Sequence, residues 1–407
     1  MIYRIRKKDK TLRGKISLTP SKSISNRVLI IGALCADDFH VSNLATANDT
    51  VLLQKLLDSS SQVLDSEDSG TTFRFLTAYL SQKPGEWLLT GTDRMKQRPI
   101  GFLVDALRKL GAEIQYEEKE NFPPLRIFGK KLSGGEVALN GSVSSQYISA
   151  LLLIAPTLEK GLKIKVEKEV FSQSYIEMTL KLMGEFGIEY EWNENIISVK
   201  EQPYQSKDIT VEADWSAASY WYEMAALSDD VDLTLVGLGK KSVQGDAVIA
   251  EMMKQFGVET EYTNEGIRLF RKPFPLLEKF VYDFQSCPDL VQTMAVTCVA
   301  RETEGEFTGV KNLRIKETDR LVALQDELKR LGIQTAISDS GFQISDLKLQ
   351  VPTSSFQTHN DHRMAMALAP LALKFEKIQI ENPEVVKKSY PEFWDDLRRA
   401  DFEIVEI

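Results

Sequence analysis

Cations and carboxylates recur in short clusters from one end of this 407-residue chain to the other. They read TPSKSISNR (19–27), DSGTTFR (68–74), RMKQRP (94–99), VSSQY (143–147), PD (288–289), KETDR (316–320), NDHRM (360–364) and KKSYP (387–391). Lys22, Arg27, Arg74, Arg94, Lys316, Arg320, Arg363 and Lys388 supply positive charge. An arginine fork takes a carboxylate or a phosphate through two parallel hydrogen bonds. Ser144, Ser145 and Gln146 offer more donors and acceptors than one helix cap needs. The surplus suits phosphate and hydroxyl groups, and Ser23, Ser172 and Tyr175 can add to it. Asp289 and Glu317 are the candidates for general acid and base. Taken singly, each cation reads as a surface salt bridge, Asp289 as a helix cap and Glu317 as an ion pair. Taken together they describe one site that holds several anionic groups and moves protons.

His359 and His362 are three residues apart, but no nearby ligands complete a metal motif. His362, beside Arg363, reads as a group that orients a ligand or a carboxylate. Neither a GxxxxGK[ST] loop nor a GxGxxG turn is present, so no nucleotide cofactor is expected. Cys287 has no activating histidine and reads as a buried structural thiol.

The elements that must position these groups form a repeat. Apolar helices with cap-like starts are expected near Ser23, Thr71, Ser144, Asp214, Asp289 and Asp361. They are apolar nearly all round and should be buried. Each precedes a second helix: VLLQKLLDS, IGFLVDALRKLG, YIEMTLKLMGEFG, AVIAEMMKQFG, RLVALQDELKRLG and FWDDLRRA. Gly111, Gly187, Gly257 and Gly332 read as C-caps ahead of β-like runs. The leucines at 321, 324, 328 and 331 form a stripe for core packing. The unit is therefore strand–helix–strand–helix–strands, repeated six times, which gives an α/β protein of two similar lobes. The expected lobes are 20–212, and 1–19 with 213–407, joined by two crossings that form a hinge beside a cleft. Most charged motifs fall at expected helix starts, where free N–H groups and about half a positive charge attract anions.

Composition agrees with a soluble globular protein: hydrophobic content is 43% and charged content 27%. A net charge of −9 disfavours general nucleic-acid binding and leaves the motif cations concentrated against an acidic background. No apolar run approaches the roughly 20 residues of a membrane span. The N-terminal MIYRIRKKDKTLRG lacks a signal core, and three cysteines suit a reducing compartment, so a cytoplasmic protein is expected. A monomer is expected, because two lobes can bury the repeats without a partner.

These residues resemble those of the enolpyruvyl transferase superfamily, in the branch that acts on shikimate 3-phosphate. The resemblance runs from SKSISNR to KKSYP in the family's order, and KETDR, NDHRM and SKS-x-x-x-R are its specific parts. It implies two lobes of three βαβαββ units each, joined by two hinge strands. It also implies transfer of an enolpyruvyl group from phosphoenolpyruvate to the 5-hydroxyl of shikimate 3-phosphate. The reaction would pass through a tetrahedral intermediate that loses phosphate, with no metal or other cofactor. By the motif match, Lys22, Ser23, Arg27, Ser144, Ser145, Gln146, Ser172, Tyr175, Asp289, Asn312 and Lys316 would hold shikimate 3-phosphate. Lys22, Gly70, Arg94, Gln146, Arg320, Arg363 and Lys388 would hold phosphoenolpyruvate, with Asp68, Thr71, Arg74 and His362 in support. Asp289 would accept the hydroxyl proton, Glu317 would give and retrieve the C3 proton, and Lys22 would assist departure of phosphate.

The chain departs from the family's usual Asn-Ala-Gly-Thr with Asp68-Ser69-Gly70-Thr71, and from its Pro-Gly before Ser-Lys-Ser with Thr19-Pro20. The sister transferase acting on UDP-N-acetylglucosamine typically has Lys-Asn where this chain has Lys22-Ser23, and a loop cysteine ahead of the arginine matching Arg94. No cysteine lies between Cys35 and Cys287 here. A non-catalytic anion-binding protein on the same fold would be expected to lose Lys22, Asp289 or Glu317, and all three are present.

Overall fold

The computed structural model describes residues 1–140, 144–167 and 171–407. Val143 of the Ser-Ser-Gln motif lies outside them. The chain divides into two compact units, Lys22–Val211, and Met1–Ser21 with Glu212–Ile407.

In the unit Lys22–Val211, the strands Val63–Asp65, Gly85–Thr90, Leu125–Gly129 and Glu113–Tyr116 lie side by side in that order. The first two are parallel and the others antiparallel. A parallel pair needs a crossover, here the helix Gly70–Gln82, while antiparallel strands can close through a short hairpin. This is one βαβαββ unit, with Gly101–Lys109 as its second helix. The pattern recurs in Gly135–Asn140, Leu162–Glu167, Ile196–Val199 and Tyr190–Asn193, with helices Ser145–Ile154 and Gln173–Glu185. Leu162, Ile164 and Val166 face inward while Lys163, Lys165 and Glu167 are exposed, the period-two signature of a half-buried strand. The third repeat is abbreviated: after the helix Lys22–Leu34, only Val41–Ser42 and Ile209–Thr210 pair.

In the other unit, Thr11–Ser17 lies parallel to Asp230–Val236 and completes a sheet with Gly266–Arg271 and Val258–Tyr262. Lys279–Asp283, Glu304–Thr308, Phe342–Ser345 and Gln334–Ile337 form another. Ile2–Arg6 sits between Ile378–Glu381 and Glu403–Glu406, antiparallel to both. Four repeats are thus complete βαβαββ units among the described residues, and two are abbreviated.

The inner helices are buried on every side because their sequences are apolar all round. All ten residues of Val291–Ala300 are buried. In Trp215–Leu227 only Ser216 is not. Ser144, Asp214 and Asp361 each accept a backbone N–H at a helix start, as the sequence suggests. At Gly70–Gln82 the cap is Ser69 rather than Thr71, which lies inside the helix. Gly187 and Gly257 end their helices at φ 80° each, a left-handed turn that glycine adopts without a Cβ clash. The segment expected to form one helix at 247–257 is instead broken into the 3₁₀ turns Gly245–Val248 and Met253–Phe256 around Ile249–Met252.

One buried group stands out from this apolar packing. Glu223 is fully buried, and neither carboxylate oxygen has a hydrogen-bond partner among the described residues. Burial pushes its carboxyl well above the ordinary value of 4.5. A raised folded-state value means the chain must take up or retain a proton to fold, so the cost grows as pH rises above the unfolded value. Glu223→Met should therefore stabilise the protein by about 1–3 kcal/mol at slightly alkaline pH. The gain should shrink towards about pH 5, and urea unfolding of both proteins at the two pH values checks this.

Candidate functional site

In the unit containing Glu212–Ile407, one arginine gathers three carboxylates. Arg320 begins the helix Arg320–Lys329, capped by Asp319, and only 3% of its side chain is exposed. Its Nη1 donates to Asp289 Oδ1 (2.9 Å), Nη2 to Glu317 Oε2 (2.9 Å) and Nε to Asp361 Oδ2 (2.6 Å). Burial alone would push the guanidinium down, but Asp361, Glu317 and Asp289 together drive it up. The other oxygen of Asp289 is 2.8 Å from Arg363 Nη2. Asp289 is thus clamped between two guanidinium groups, one from each of two helix starts.

Asp361 couples capping to charge. Its Oδ1 accepts the Arg363 N–H at 2.9 Å, while Oδ2 holds Arg320. The start of the helix His362–Leu368 and the start of Arg320–Lys329 are therefore tied through one side chain. His362 is buried, with Nδ1 3.7 Å from Asp361 Oδ1. Behind them, Glu327 is fully buried and binds His359 Nε2 (2.8 Å), the Gln357 N–H (3.0 Å) and Arg330 Nε (3.1 Å). That pins the turn before Asp361 to the same helix that carries Arg320.

Lys316 lies at the end of the 3₁₀ turn Lys311–Ile315. Burial pushes its ammonium down, against the pull of Asp289, and Arg320 and Arg363 add to the lowering. Asn312 is buried in that turn. Lys388 is buried at the end of Pro383–Lys388. Asp246 hydrogen-bonds Ser216 Oγ. Burial and then Asp289 push its carboxyl up from 3.8 to about 7, against the opposing pull of Arg363 and Ser216, with Asp214 adding to the rise. The folded state holds this proton more tightly than the unfolded chain does, so the associated stability is present at low pH and lost as pH rises through about 7. Asp246→Asn should be more stable relative to the wild type at about pH 8 than at about pH 5, which denaturant midpoints at the two values measure.

The unit Lys22–Val211 holds a second cluster. Lys22 opens the helix Lys22–Leu34 and pairs with Asp49 Oδ2 at 3.1 Å. Ser23 follows in the first turn, and its carbonyl accepts from Arg27 Nη1 at 2.8 Å. Arg27 is 2% exposed and also donates to Thr179 Oγ1 (2.7 Å), Ser149 Oγ (3.3 Å) and the Tyr175 carbonyl (3.2 Å). Burial pushes it down to about 10, opposed by Tyr175. Gln146 bridges two helix starts: Arg74 Nη1 donates to its Oε1 (2.8 Å), and its Nε2 donates to Thr71 Oγ1 (3.0 Å). Ser144 caps the Gln146 N–H, and Ser145 is buried beside it. Ser172 is buried in the left-handed conformation (φ 58°, ψ 43°) ahead of Gln173–Glu185. Asp68 and Arg94 are exposed.

Residues 6–59 and 52–397 match the family model described as EPSP synthase (3-phosphoshikimate 1-carboxyvinyltransferase). A Bacteroides fragilis protein named 3-phosphoshikimate 1-carboxyvinyltransferase is 50% identical over 97% of this chain and 96% of its own length. One of the same name from Colwellia psychrerythraea is 34% identical over 96% and 97%. This chain belongs to the EPSP synthase family. The solved EPSP synthase of Acinetobacter baumannii has the same fold, with TM-score 0.82 at 23% identity over the full length of both chains. An enolpyruvyl transferase from Streptomyces tendae gives TM-score 0.76 at 14% identity, over 99% of this chain and 98% of its own.

Within this family frame, several expectations need correction. Asp289 does not cap the helix Val291–Ala300; it sits in the 3₁₀ turn Pro288–Leu290 and gives both oxygens to arginines. Glu317 precedes its helix instead of starting it. Lys388 ends a 3₁₀ turn. Cys287, by contrast, is buried as expected of a structural thiol, and burial pushes its thiol up, away from nucleophile chemistry. Ser69, which departs from the family's usual alanine, is fully buried and accepts the Thr72 N–H at 3.3 Å, so its hydroxyl caps the helix. Sequence reading assigned no role in the chemistry to Asp49, Asp246, Asp361 and Arg98. Asp361 stood inside NDHRM as a cap, and Arg98 inside RMKQRP; Asp49 and Asp246 carry no local signal.

Proposed function

We propose that this protein transfers the enolpyruvyl group of phosphoenolpyruvate to the 5-hydroxyl of shikimate 3-phosphate and releases phosphate. The observation that carries this reading is the arginine knot: Arg320 holds Asp289 and Glu317 at 2.9 Å each. Two carboxylates fixed by one guanidinium group can serve two proton transfers without competing for one position. In the addition step, the hydroxyl oxygen bonds to C2 of the donor and its proton goes to Asp289. Glu317 delivers a proton to C3, which becomes a methyl group. In the elimination step, the C2–O bond to phosphate breaks and Glu317 retrieves a proton from C3. Lys22 assists the departing phosphate.

Ser23, Arg27, Ser144, Ser145, Gln146, Ser172, Tyr175, Asn312 and Lys316 bind the shikimate ester in this reading. Gly70, Arg94, Arg320, Arg363 and Lys388 bind the donor. Arg27, whose hydrogen bonds run to Ser23, Ser149, Tyr175 and Thr179, acts mainly by fixing the backbone around Ser23 and Tyr175. The protein works in the cytoplasm as a monomer. The test is phosphate release from phosphoenolpyruvate with shikimate 3-phosphate, run beside UDP-N-acetylglucosamine. Release with the shikimate ester alone supports the reading, and release with the sugar nucleotide alone overturns it.

A further inference from the structure

Gly70 marks a place where two guanidinium groups converge. A Cβ on Gly70 would meet Arg74 Nη1, and would stand 2.6 Å from Arg98 Nη1 and 2.9 Å from Arg98 Cζ. Arg74 is 5% exposed; it is held by Gln146 Oε1 and lies over the Tyr147 ring at 5.4 Å. Arg98 comes from the loop after Asp93–Lys96. That loop is tied down by the Tyr147 hydroxyl, which donates to the Pro99 carbonyl at 2.5 Å. Arg98 makes no ion pair among the described residues, and its buried Nε has no hydrogen-bond partner there. By contrast, Lys22, Arg27, Arg320 and Arg363 are each paired or spent on a protein acceptor. Two like charges drawn together on the first residue of a 13-residue helix repel each other unless an anion joins them.

We infer that Arg98, with Arg74, binds an oxyanion of the enolpyruvyl donor beside Gly70, making Arg98 a binding residue that positions the phosphate or carboxylate of that substrate. The inference rests on the proposed activity for the identity of the anion. Its geometry lies wholly within the unit Lys22–Val211. Glycine at position 70 leaves the space that both guanidinium groups occupy, and the planar fork of Arg98 can give two parallel hydrogen bonds to one oxyanion.

Arg98→Gln and Arg98→Lys test this in the full-length protein. For Arg98→Gln, KM for phosphoenolpyruvate should rise by about tenfold or more, with KM for shikimate 3-phosphate within about twofold. Arg98→Lys, which keeps the charge but not the fork, should recover part of the loss. Calorimetric titration with phosphoenolpyruvate, and separately with inorganic phosphate, should show weaker binding by Arg98→Gln. Unchanged donor KM and unchanged anion affinity in a folded Arg98→Gln would overturn the inference. So would an equal rise in both KM values with a matching loss of stability, because that is the signature of a structural role. If the wild type turns over neither acceptor, the proposed activity fails, and the two titrations still decide the anion role of Arg98.

Discussion

Glu317→Gln will keep the fold and lose turnover by about 10²–10⁴-fold, the range general acid–base groups supply. Glutamine is close to isosteric and keeps an oxygen for Arg320 Nη2, which Glu317 accepts through Oε2 at 2.9 Å. Arg320 keeps Asp289 and Asp361 as charged partners and the Glu317 side chain is 17% exposed, so the stability loss should stay below the roughly 3–5 kcal/mol of a buried charge left unpaired. What disappears is the capacity to give a proton to C3 and take one back. Steady-state kinetics beside a denaturant midpoint separates the two effects. A glutamine variant with near-normal kcat would remove Glu317 from the mechanism, and the knot would then be read as structural.

Arg320→Met will damage stability as well as activity. The arginine holds Asp289, Glu317 and Asp361, whose side chains are 11%, 17% and 0% exposed. Removing one partner of a buried pair leaves an uncompensated charge at a cost of about 3–5 kcal/mol. Here three carboxylates would be left facing one another, with Arg363 still on Asp289. Activity should fall with stability, because Asp289 and Glu317 lose the group that fixes both. Arg320→Lys keeps the charge but has no planar fork to reach three acceptors, so it should recover stability more than turnover. Urea midpoints and kcat for both variants check this. An Arg320→Met protein within about 1 kcal/mol of the wild type would show that the carboxylates are held by something else.

Much of the fold is legible in the residues because local signals agree. Ser144, Asp214 and Asp361 stand just before apolar runs, and each caps a helix in the structure. The alternation in LKIKVE gives a half-buried strand directly. The misplaced elements are those where a competing local choice wins. Ser69 takes the cap expected near Thr71, because its hydroxyl reaches the Thr72 N–H from one step outside the helix. The 247–257 segment has the right apolar spacing but breaks into short turns on either side of Ile249–Met252.

The candidate site is legible as a set of residue types and not as a set of pairings. KETDR and NDHRM name both ends of the contact between Arg320 and Asp361, yet the partners are 41 residues apart and nothing local links them. The same holds for Arg74 and Gln146, 72 apart, and for Lys22 and Asp49, 27 apart. Asp289 looked like a cap because Pro-Asp before an apolar helix is a cap signature; its real partners lie on two other helix starts. Arg98 was hidden for the opposite reason. It stands in RMKQRP beside Arg94, and only the space left by Gly70 singles it out.

The most direct test of the proposed addition and elimination is to run the reaction in deuterium oxide and examine the product by proton NMR and mass spectrometry. If C3 of the donor becomes a methyl group through Glu317, the enolpyruvyl ether formed at the 5-hydroxyl of shikimate 3-phosphate will carry solvent deuterium in its methylene. Phosphate release without that ether, or an ether whose methylene holds no deuterium under repeated turnover, would contradict the account.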